Sequence, residues 1–338
     1  MKRTGSIDFG AYMQFARQVD EQPELAGVEL TSVEQHRDEI IALYRDGFKR
    51  GCSTGWRCLD EYITIRRGEF TVITGIPGHG KSSWLDNLMI HLSRFYKWRW
   101  AVFSAENFPI SRHIAGLMEI YSGKPFTQGP TERMNKNELE LCIAWVGRYF
   151  RFLQPAENSY SLNRIVQLAA HVEDLDALVI DPWNELDHSR PNELREDEYI
   201  SRSLSKLRWL ARAAGIHVFV VAHPSKYHRE KGEKKPVITL NDVKGASEWY
   251  AKADNGISIW RDEGERNSPT EVHVQKIRFR EVGRIGKADL WYDRISGRFT
   301  DPNHRPTIDE LMSQEYGARE KAKNMGWLVE REAGDEVD

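Results

Sequence analysis

Eight consecutive residues in this 338-residue chain have the types and the spacing that bind a phosphate group. They fit the pattern G-x-x-x-x-G-K-[ST], in which backbone N–H groups and the positive end of the following helix hold phosphate oxygens. An apolar run, Phe70–Thr74, precedes them and a helical pattern follows, as this motif requires. We therefore predict that ATP, or another NTP or dNTP, is bound by Gly75, Ile76, Pro77, Gly78, His79, Gly80, Lys81, Ser82 and the adjoining Ser83.

The last residues of this loop have defined chemical roles in the motif. Lys81 is expected to reach the β- and γ-phosphates, and the Ser82 hydroxyl to hold Mg²⁺. A second Mg²⁺ ligand is predicted at Asp181, because the apolar run Leu178–Ile180 ends in this carboxylate. The carboxyl end of a buried strand lies where open α/β sheets bind their ligands.

Hydrolysis also needs a base that orients the attacking water. Asp181 is followed by Pro182, so the chain lacks the adjacent Asp-Glu pair of many ATPases. Glu106 closes the apolar run Ala101–Ala105, which we expect to lie beside the strand of the phosphate loop, a RecA-like placement. This position favours Glu106 as the base, with Glu185 as the alternative.

A third apolar run ends in His223, where a polar side chain can sense the γ-phosphate. The densest basic stretch of the chain follows, and it is a candidate for contacting the backbone of single-stranded nucleic acid. The alternative is a solvated loop, and two glutamates weaken the patch. The candidate contacts are Lys226, Arg229, Lys231, Lys234, Lys235 and Lys244.

Lys276 and Arg278 stand two residues apart on a predicted strand, so both side chains point to one face. Such a pair can supply an arginine finger to a nucleotide in an adjacent subunit. The simpler alternative is a solvent-exposed strand face.

Strand-like and helical patterns alternate around these residues, which predicts an α/β fold: a mostly parallel central sheet flanked by helices. Short turns between the later strands predict an antiparallel extension at one edge. The predicted strands are Phe70–Thr74, Trp100–Ser104, Ala177–Ile180, Ile216–Ala222, Gly256–Trp260, Glu271–Ile277 and Ala288–Tyr292. The predicted helices lie near 82–96, 109–122, 136–148, 161–172 and 195–214.

The chain divides into three predicted regions: an arm and linker helix at 1–50, a motor domain at 51–302, and a C-terminal helix with an acidic tail at 303–338. The linker helix is expected from about Val33 to Lys49, with a capping box formed by Thr31 and Glu34. Its apolar stripe either packs on its own domain or docks on a neighbouring subunit. The stripe consists of Ile40, Ile41, Leu43, Tyr44 and Phe48.

Net charge, cysteine usage and hydropathy bear on nucleic-acid binding, compartment and membrane insertion. The net charge is −3, so any nucleic-acid site must be a local basic patch. Three cysteines form no metal-ligand pattern, and this usage fits a reducing compartment. No run of about 18 apolar residues is present, so no membrane span is expected. We predict a cytoplasmic protein of a bacterial or phage-infected cell.

In their order and spacing, the motifs resemble the hexameric replicative helicases with a RecA-like motor, the DnaB family, and most closely its phage primase-helicase and Twinkle branch. The resemblance extends from Ser53 to about Phe299. The matching segments are Ser53–Trp56, Leu59-Asp60, Arg67–Glu69, the phosphate loop, Phe103–Glu106, Val179–Asp181, Val221–His223, Asp242–Ala246, Lys252–Asn255 and Lys276–Phe279.

The resemblance implies a RecA-like P-loop NTPase fold and a six-subunit ring that encircles single-stranded DNA, moves 5′→3′ and unwinds duplex. ATP would lie between subunits, with Lys276 and Arg278 acting from the neighbour and His223 coupling the γ-phosphate to the basic loop. A separate primase, polymerase or loader would be the protein partner. Two other functions share the fold: a RecA-type recombination or repair ATPase, and a regulatory assembly ATPase that does not act on DNA. The late Lys-x-Arg block favours the ring helicase over the recombinase.

Overall fold

A computed structural model gives the fold, and it describes residues 31–154, 160–186, 195–225, 234–265 and 268–302. The predicted arm at 1–30 and the predicted tail at 303–338 therefore lie outside the described residues, as do Lys226, Arg229 and Lys231 of the basic stretch.

The described strands form one sheet in the order β3-β2-β4-β5-β1-β6-β7-β8-β9. Neighbours from β3 to β6 are parallel, and those from β6 to β9 are antiparallel. The predicted parallel sheet with an antiparallel edge is confirmed. The strands are β1 (Phe70–Thr74), β2 (Trp100–Ser104), β3 (Phe150–Phe152), β4 (Ala177–Asp181), β5 (His217–Val221), β6 (Asn255–Arg261), β7 (Thr270–Ile277), β8 (Gly286–Tyr292) and β9 (Phe299–Thr300).

Helices cover both faces of this sheet. Alternate strand residues enter two separate apolar cores: Ile73 and Val179 lie in one, and Val72 and Leu178 in the other. The continuous apolar runs of the central strands follow from burial on both sides. The described helices are α1 (Arg37–Asp46), α2 (Arg57–Asp60), α3 (Lys81–Tyr96), α4 (Ile110–Ser122), α5 (Lys136–Tyr149), α6 (Leu162–Ala169), α7 (Glu196–Ala214) and α8 (Ala246–Lys252).

Four of these strands and helices were not predicted, and each is short. β3 has three residues, β9 has two, α2 has four and α8 has seven, too few to establish a hydrophobic period. α8 begins after Gly245, which has a φ of 78°. Its packing against α7 closes one side of the second core, where Trp249 is fully buried.

The predicted linker helix is present as a 3₁₀ turn, Val33–His36, that leads into α1. The predicted capping box is wrong by one residue: Gln35 Oε1 accepts the backbone N–H of Ser32 at 2.6 Å. α1 contains no buried residue, and Tyr44 is 92% exposed. The apolar stripe is therefore not packed on the described part of its own domain.

Candidate functional site

The predicted phosphate loop connects β1 to α3 at the carboxyl edge of the sheet. Gly80 has a φ of 93° and α3 begins at Lys81, so the first N–H groups of the helix open onto the loop. The Lys81 side chain is buried, and its Nζ donates to the carbonyls of Gly75 at 2.9 Å and Ile76 at 3.2 Å. Its ammonium is therefore held against the first residues of the loop.

Gly75 is required by close packing at the start of the loop. Its φ is 137°, and a Cβ there would lie 2.3 Å from the Ile259 carbonyl oxygen on β6. The loop backbone thus lies directly against the neighbouring strand. This contact explains why the first position of the motif accepts no side chain.

Asp181 ends β4 at the same edge and is buried. Burial raises the pKa of its carboxyl to about 6, a hydrogen bond from Ser82 opposes this, and the carboxylates of Asp86 and Glu106 raise it further. Its Oδ1 is buried without a hydrogen-bond partner. A buried, unpaired carboxylate oxygen beside a serine hydroxyl fits a hard cation.

The described residues contain no group of three or more metal-ligating side chains. Two protein ligands, Ser82 and Asp181, are still enough for Mg²⁺, which keeps several waters and is commonly held by one or two protein ligands together with substrate phosphates. Ser82 and Asp181 therefore fit Mg²⁺ bound with a nucleotide.

Glu106 and His223 lie together at this edge. The imidazole Nε2 of His223 is 3.9 Å from Glu106 Oε1. Burial and the charge of Lys81 lower the pKa of His223, while Glu106 and Glu185 raise it. A lowered pKa favours the neutral imidazole near pH 7, which has one nitrogen that donates a hydrogen bond and one that accepts.

The expectation that the strand before Glu106 lies beside the phosphate-loop strand is wrong. β2 pairs with β4, and β1 pairs with β5 and β6, so β4 and β5 separate β2 from β1. Glu106 nevertheless acts electrostatically on both Lys81 and Asp181. Glu185, the alternative base, acts on His223 alone among these site residues.

The sequence did not predict two side-chain contacts near Asp181 and His223. The Asn184 side chain accepts the backbone N–H of His223 at 2.8 Å, so the residues after β4 fix the end of β5. The buried His113 places its Nε2 2.9 Å from Oδ1 of the partly buried Asp86, near Asp181. Asp86 is four residues after Ser82 on α3, a helical spacing that could have revealed it.

The phosphate loop is joined to the basic stretch by an unpredicted chain of contacts through the Glu263 carboxylate. His79 is buried, and its Nε2 lies 3.3 Å from Glu263 Oε1, while Glu263 Oε2 lies 2.6 Å from Lys235 Nζ. His79 Nδ1 accepts the backbone N–H of Arg261 at 3.1 Å, which requires that nitrogen to be unprotonated. A residue of the phosphate loop and a residue of the basic stretch thus share one carboxylate.

The other described basic residues of the stretch are also paired with carboxylates. Lys234 Nζ lies 2.6 Å from Asp262, and Lys244 Nζ lies 2.6 Å from Glu196. Contact with a nucleic-acid phosphate at these positions would require the lysines to exchange their present partners.

Lys276 and Arg278 do face the same side, although β7 ends at Ile277. Lys276 Nζ donates to the Tyr250 carbonyl, and Arg278 Nη2 donates to the Ala251 carbonyl at 2.8 Å. Arg278 Nε lies 2.7 Å from Oδ1 of the buried Asp254.

This pair lies at the opposite end of the sheet from the chain's own phosphate loop. Asp254 Oδ2 accepts the backbone N–H of Phe70, the first residue of β1, at 3.1 Å. The phosphate loop follows the last residue of β1, so a five-residue strand of roughly 17 Å separates the two. Arg278 therefore cannot reach the nucleotide of its own loop.

A cleft of about 400 Å³ opens at the carboxyl ends of β6 and β8, beside the phosphate loop. It contains exposed aromatic and charged side chains, and Arg261 joins it to the loop through His79. Sequence reasoning did not identify it. Its lining residues are Arg261, Asp262, Glu263, Glu265, Ser268, Trp291, Tyr292 and Arg294.

None of the described helices is long and apolar enough to cross a membrane.

Residues 51–301 match the family model of the DnaB-like helicase C terminal domain. The chain is 33% identical over 297 residues to the Twinkle homolog protein, chloroplastic/mitochondrial, of Arabidopsis thaliana; the match covers 84% of this chain and 41% of that protein. This chain therefore spans less than half the length of that relative.

Two solved structures show the fold. One, a structure of an ATPase domain, is 18% identical, with a TM-score of 0.64 over 81% of this chain and 99% of that chain. A DnaB-like replicative helicase, from a structure that also concerns its interactions with primase, is 18% identical, with a TM-score of 0.61 over 87% of this chain and 75% of that one. The fold is that of a RecA-like ATPase domain.

Proposed function

The chain belongs to the family of the DnaB-like helicase C-terminal domain, and on that premise we propose that it is an ATP-dependent replicative DNA helicase. In this proposal residues 51–302 are the motor, which translocates 5′→3′ on single-stranded DNA as a ring and unwinds duplex. The observation that carries it is the separation of Arg278 from its own phosphate loop by the length of β1. The catalytic set is then complete only where two subunits meet.

Within one subunit, the phosphate loop binds the nucleotide and Lys81 contacts its β- and γ-phosphates. Phosphate oxygens replace the Gly75 and Ile76 carbonyls as the acceptors of Lys81 Nζ. Ser82 and Asp181 hold Mg²⁺, which neutralises charge on the phosphate oxygens when it is bound. Glu106 orients the attacking water and accepts its proton.

From the neighbouring subunit, Arg278 and Lys276 approach the γ-phosphate. Arg278 is anchored through Nε and Nη2 to Asp254 and to backbone carbonyls, which fixes the plane of its guanidinium. A planar, anchored guanidinium that faces developing negative charge stabilises the transition state without reorganising.

His223 couples nucleotide state to the basic stretch. It contacts the water-orienting Glu106 and stands immediately before the segment that contains Lys226, Arg229, Lys231, Lys234, Lys235 and Lys244. We assign the phosphates of single-stranded DNA as the ligand of that segment. In this assignment, DNA binding exchanges the ion pairs to Asp262, Glu263 and Glu196 for pairs to DNA phosphates.

The exposed apolar stripe of α1 is proposed to dock on the adjacent subunit. Ile40, Ile41 and Leu43 are 47%, 49% and 43% exposed, and Phe48 is 60% exposed. Covering such side chains stabilises an assembly by the burial of apolar surface. The ring is proposed to be a hexamer that works with a separate primase, polymerase or loader in the cytoplasm of a bacterial or phage-infected cell.

The test is ATP hydrolysis with and without single-stranded DNA, by wild type and Arg278→Ala. We expect strong stimulation by DNA in wild type, and its loss in the variant with nucleotide binding retained. A wild-type turnover that is indifferent to DNA would contradict the helicase assignment and point to a regulatory ATPase.

A further inference from the structure

A cluster of cations surrounds the buried carboxylate of Asp254, which has no solvent exposure. Oδ1 of Asp254 lies 2.7 Å from Arg278 Nε and 3.4 Å from Arg212 Nη2. Lys276 is close enough to be influenced by the charges of both Asp254 and Arg278. The carboxylate is itself fixed, because its Oδ2 accepts the backbone N–H of Phe70.

Arg208 is a further cation of this cluster. It stands four residues before Arg212 on α7, so the two side chains share one face of the helix. Its guanidinium experiences the charges of Arg212, Arg278 and Asp254. In the described part of the chain, no hydrogen bond or close ion pair joins Arg208 to another residue, whereas Arg212 and Arg278 both contact Asp254.

The cluster therefore carries more positive charge than its own carboxylate balances. Glu69 is close enough to act on Asp254 electrostatically, but it is bound by Arg66 and Asn255. Burial, followed by repulsion from Arg278, lowers the pKa of Lys276 to about 8, and Arg208 adds to that repulsion. These cations repel one another, and an anion would stabilise them; the described part of the chain provides no further anion for that purpose.

We propose that Arg208 is a further trans-acting catalytic residue, which contacts the phosphates of the neighbouring subunit's nucleotide together with Lys276 and Arg278. This inference rests on the proposed ring. Arg278 is anchored by Nε and Nη2, whereas Arg208 is unanchored and can follow the phosphate oxygens as charge develops on them.

The position of the cluster favours a nucleotide over DNA as the anion. Arg278 and Asp254 lie at the edge of the sheet where β1 begins. Lys235, the described basic residue linked to the phosphate loop, lies by the opposite edge, since the Trp260 indole near the end of β6 donates to its carbonyl at 2.8 Å.

The first experiment compares Arg208→Ala with Arg202→Ala, a control on the exposed face of the same helix. We expect Arg208→Ala to lower kcat for ATP about 100- to 1,000-fold, as loss of one transition-state donor does, with KM and assembly unchanged. Arg202→Ala is expected to resemble wild type. Arg208→Lys should recover part of the lost turnover because it restores the charge but not the forked geometry.

A mixing experiment separates a trans role from a structural one. Arg208→Ala subunits retain an intact phosphate loop, and Lys81→Ala subunits retain an intact Arg208. In rings assembled at random from equal amounts of the two variants, about a quarter of the interfaces pair an intact phosphate loop with an intact Arg208. The mixture should therefore hydrolyse ATP faster than the mean of the two pure variants.

Several results would overturn the inference. One is an ATP turnover of the mixed rings no higher than the mean of the two pure variants. Another is an ATP turnover of Arg208→Ala equal to that of Arg202→Ala. A third is a weaker affinity of Arg208→Ala for single-stranded DNA with an unchanged DNA-free turnover, which would make the cluster a nucleic-acid site. If the wild type forms no oligomer and ignores DNA, the proposed function fails first, and the two failures are thereby distinguished.

Discussion

His223 Nε2 lies 3.9 Å from Glu106 Oε1, although the two residues follow strands that are not neighbours. β4 stands between β2 and β5, and the side chains meet across its carboxyl end, where Asp181 is buried. Glu106, the proposed water-orienting residue, and His223, which precedes the basic stretch, are thus close enough to interact electrostatically. Under the proposed function, this pair is the route by which a change at the nucleotide would reach the basic stretch.

Glu106→Gln is predicted to abolish hydrolysis and preserve nucleotide binding. The amide keeps the shape of the side chain but cannot accept a proton, and a general base contributes about 10²- to 10⁴-fold to rate. Single-turnover hydrolysis and equilibrium binding of a fluorescent ATP analogue measure the two effects. Glu185→Gln is the matched control, and a larger loss in that variant would transfer the role to Glu185.

Glu263→Gln is predicted to uncouple DNA from hydrolysis. Glu263 contacts both His79 of the phosphate loop and Lys235 of the basic stretch, so neutralising it removes the carboxylate charge that faces both side chains. We expect the ratio of turnover with single-stranded DNA to turnover without it to fall towards one. The DNA-free rate should stay within about threefold of wild type, since Glu263 is exposed and its pairs there are weak.

Glu265→Gln, at an exposed position in the same segment, is the control for that experiment. Equal DNA stimulation in Glu263→Gln and wild type would show that the contacts of Glu263 do not couple the two sites.

Trp291→Ala is predicted to raise KM for ATP. Trp291 is 40% exposed in the cleft beside the phosphate loop, where its ring can stack on a nucleotide base. Base stacking on an aromatic side chain contributes about 1–3 kcal/mol, which corresponds to roughly 5- to 150-fold in affinity. Trp291→Phe should keep most of the affinity. An unchanged KM in Trp291→Ala would place the base elsewhere.

Acid is predicted to destabilise the fold between about pH 6.5 and pH 4. Burial lowers the pKa of His91 and of His217 to about 4 from an ordinary value of 6.5. The unfolded chain therefore binds protons that the folded chain does not, and stability is lost as pH falls through this window. Each histidine contributes about 3 kcal/mol across it, since one pKa unit corresponds to 1.36 kcal/mol.

Urea unfolding at pH 7.0, 5.5 and 4.5 measures this loss. His91→Gln is expected to flatten the pH dependence because one of the two groups is removed. His36→Gln, an exposed histidine on the linker, serves as the control. A free energy of unfolding that stayed constant from pH 7.0 to 4.5 would contradict the assignment.

Local sequence was sufficient to predict the strand–loop–helix segment around Lys81 and most of the strands. Gly75 to Ser82 carry their function in one contiguous segment, so the spacing alone predicts the geometry around Lys81. β4 and β5 can be predicted from the sequence because central parallel strands, buried on both faces, are largely apolar along their length. β3, with three residues, was too short to leave such a pattern.

Strand order, ion pairing and burial were decided only by the tertiary structure. The sequence near Glu106 does not predict that β2 pairs with β4. The sequence near Arg278 does not predict that Asp254 binds the Arg278 guanidinium. The sequence predicts Lys235 as a cation available to nucleic acid, whereas in the structure it forms an ion pair with Glu263, 28 residues later in the chain. Contacts between residues far apart in sequence depend on how the elements pack, and residue types with short-range spacing do not encode that packing.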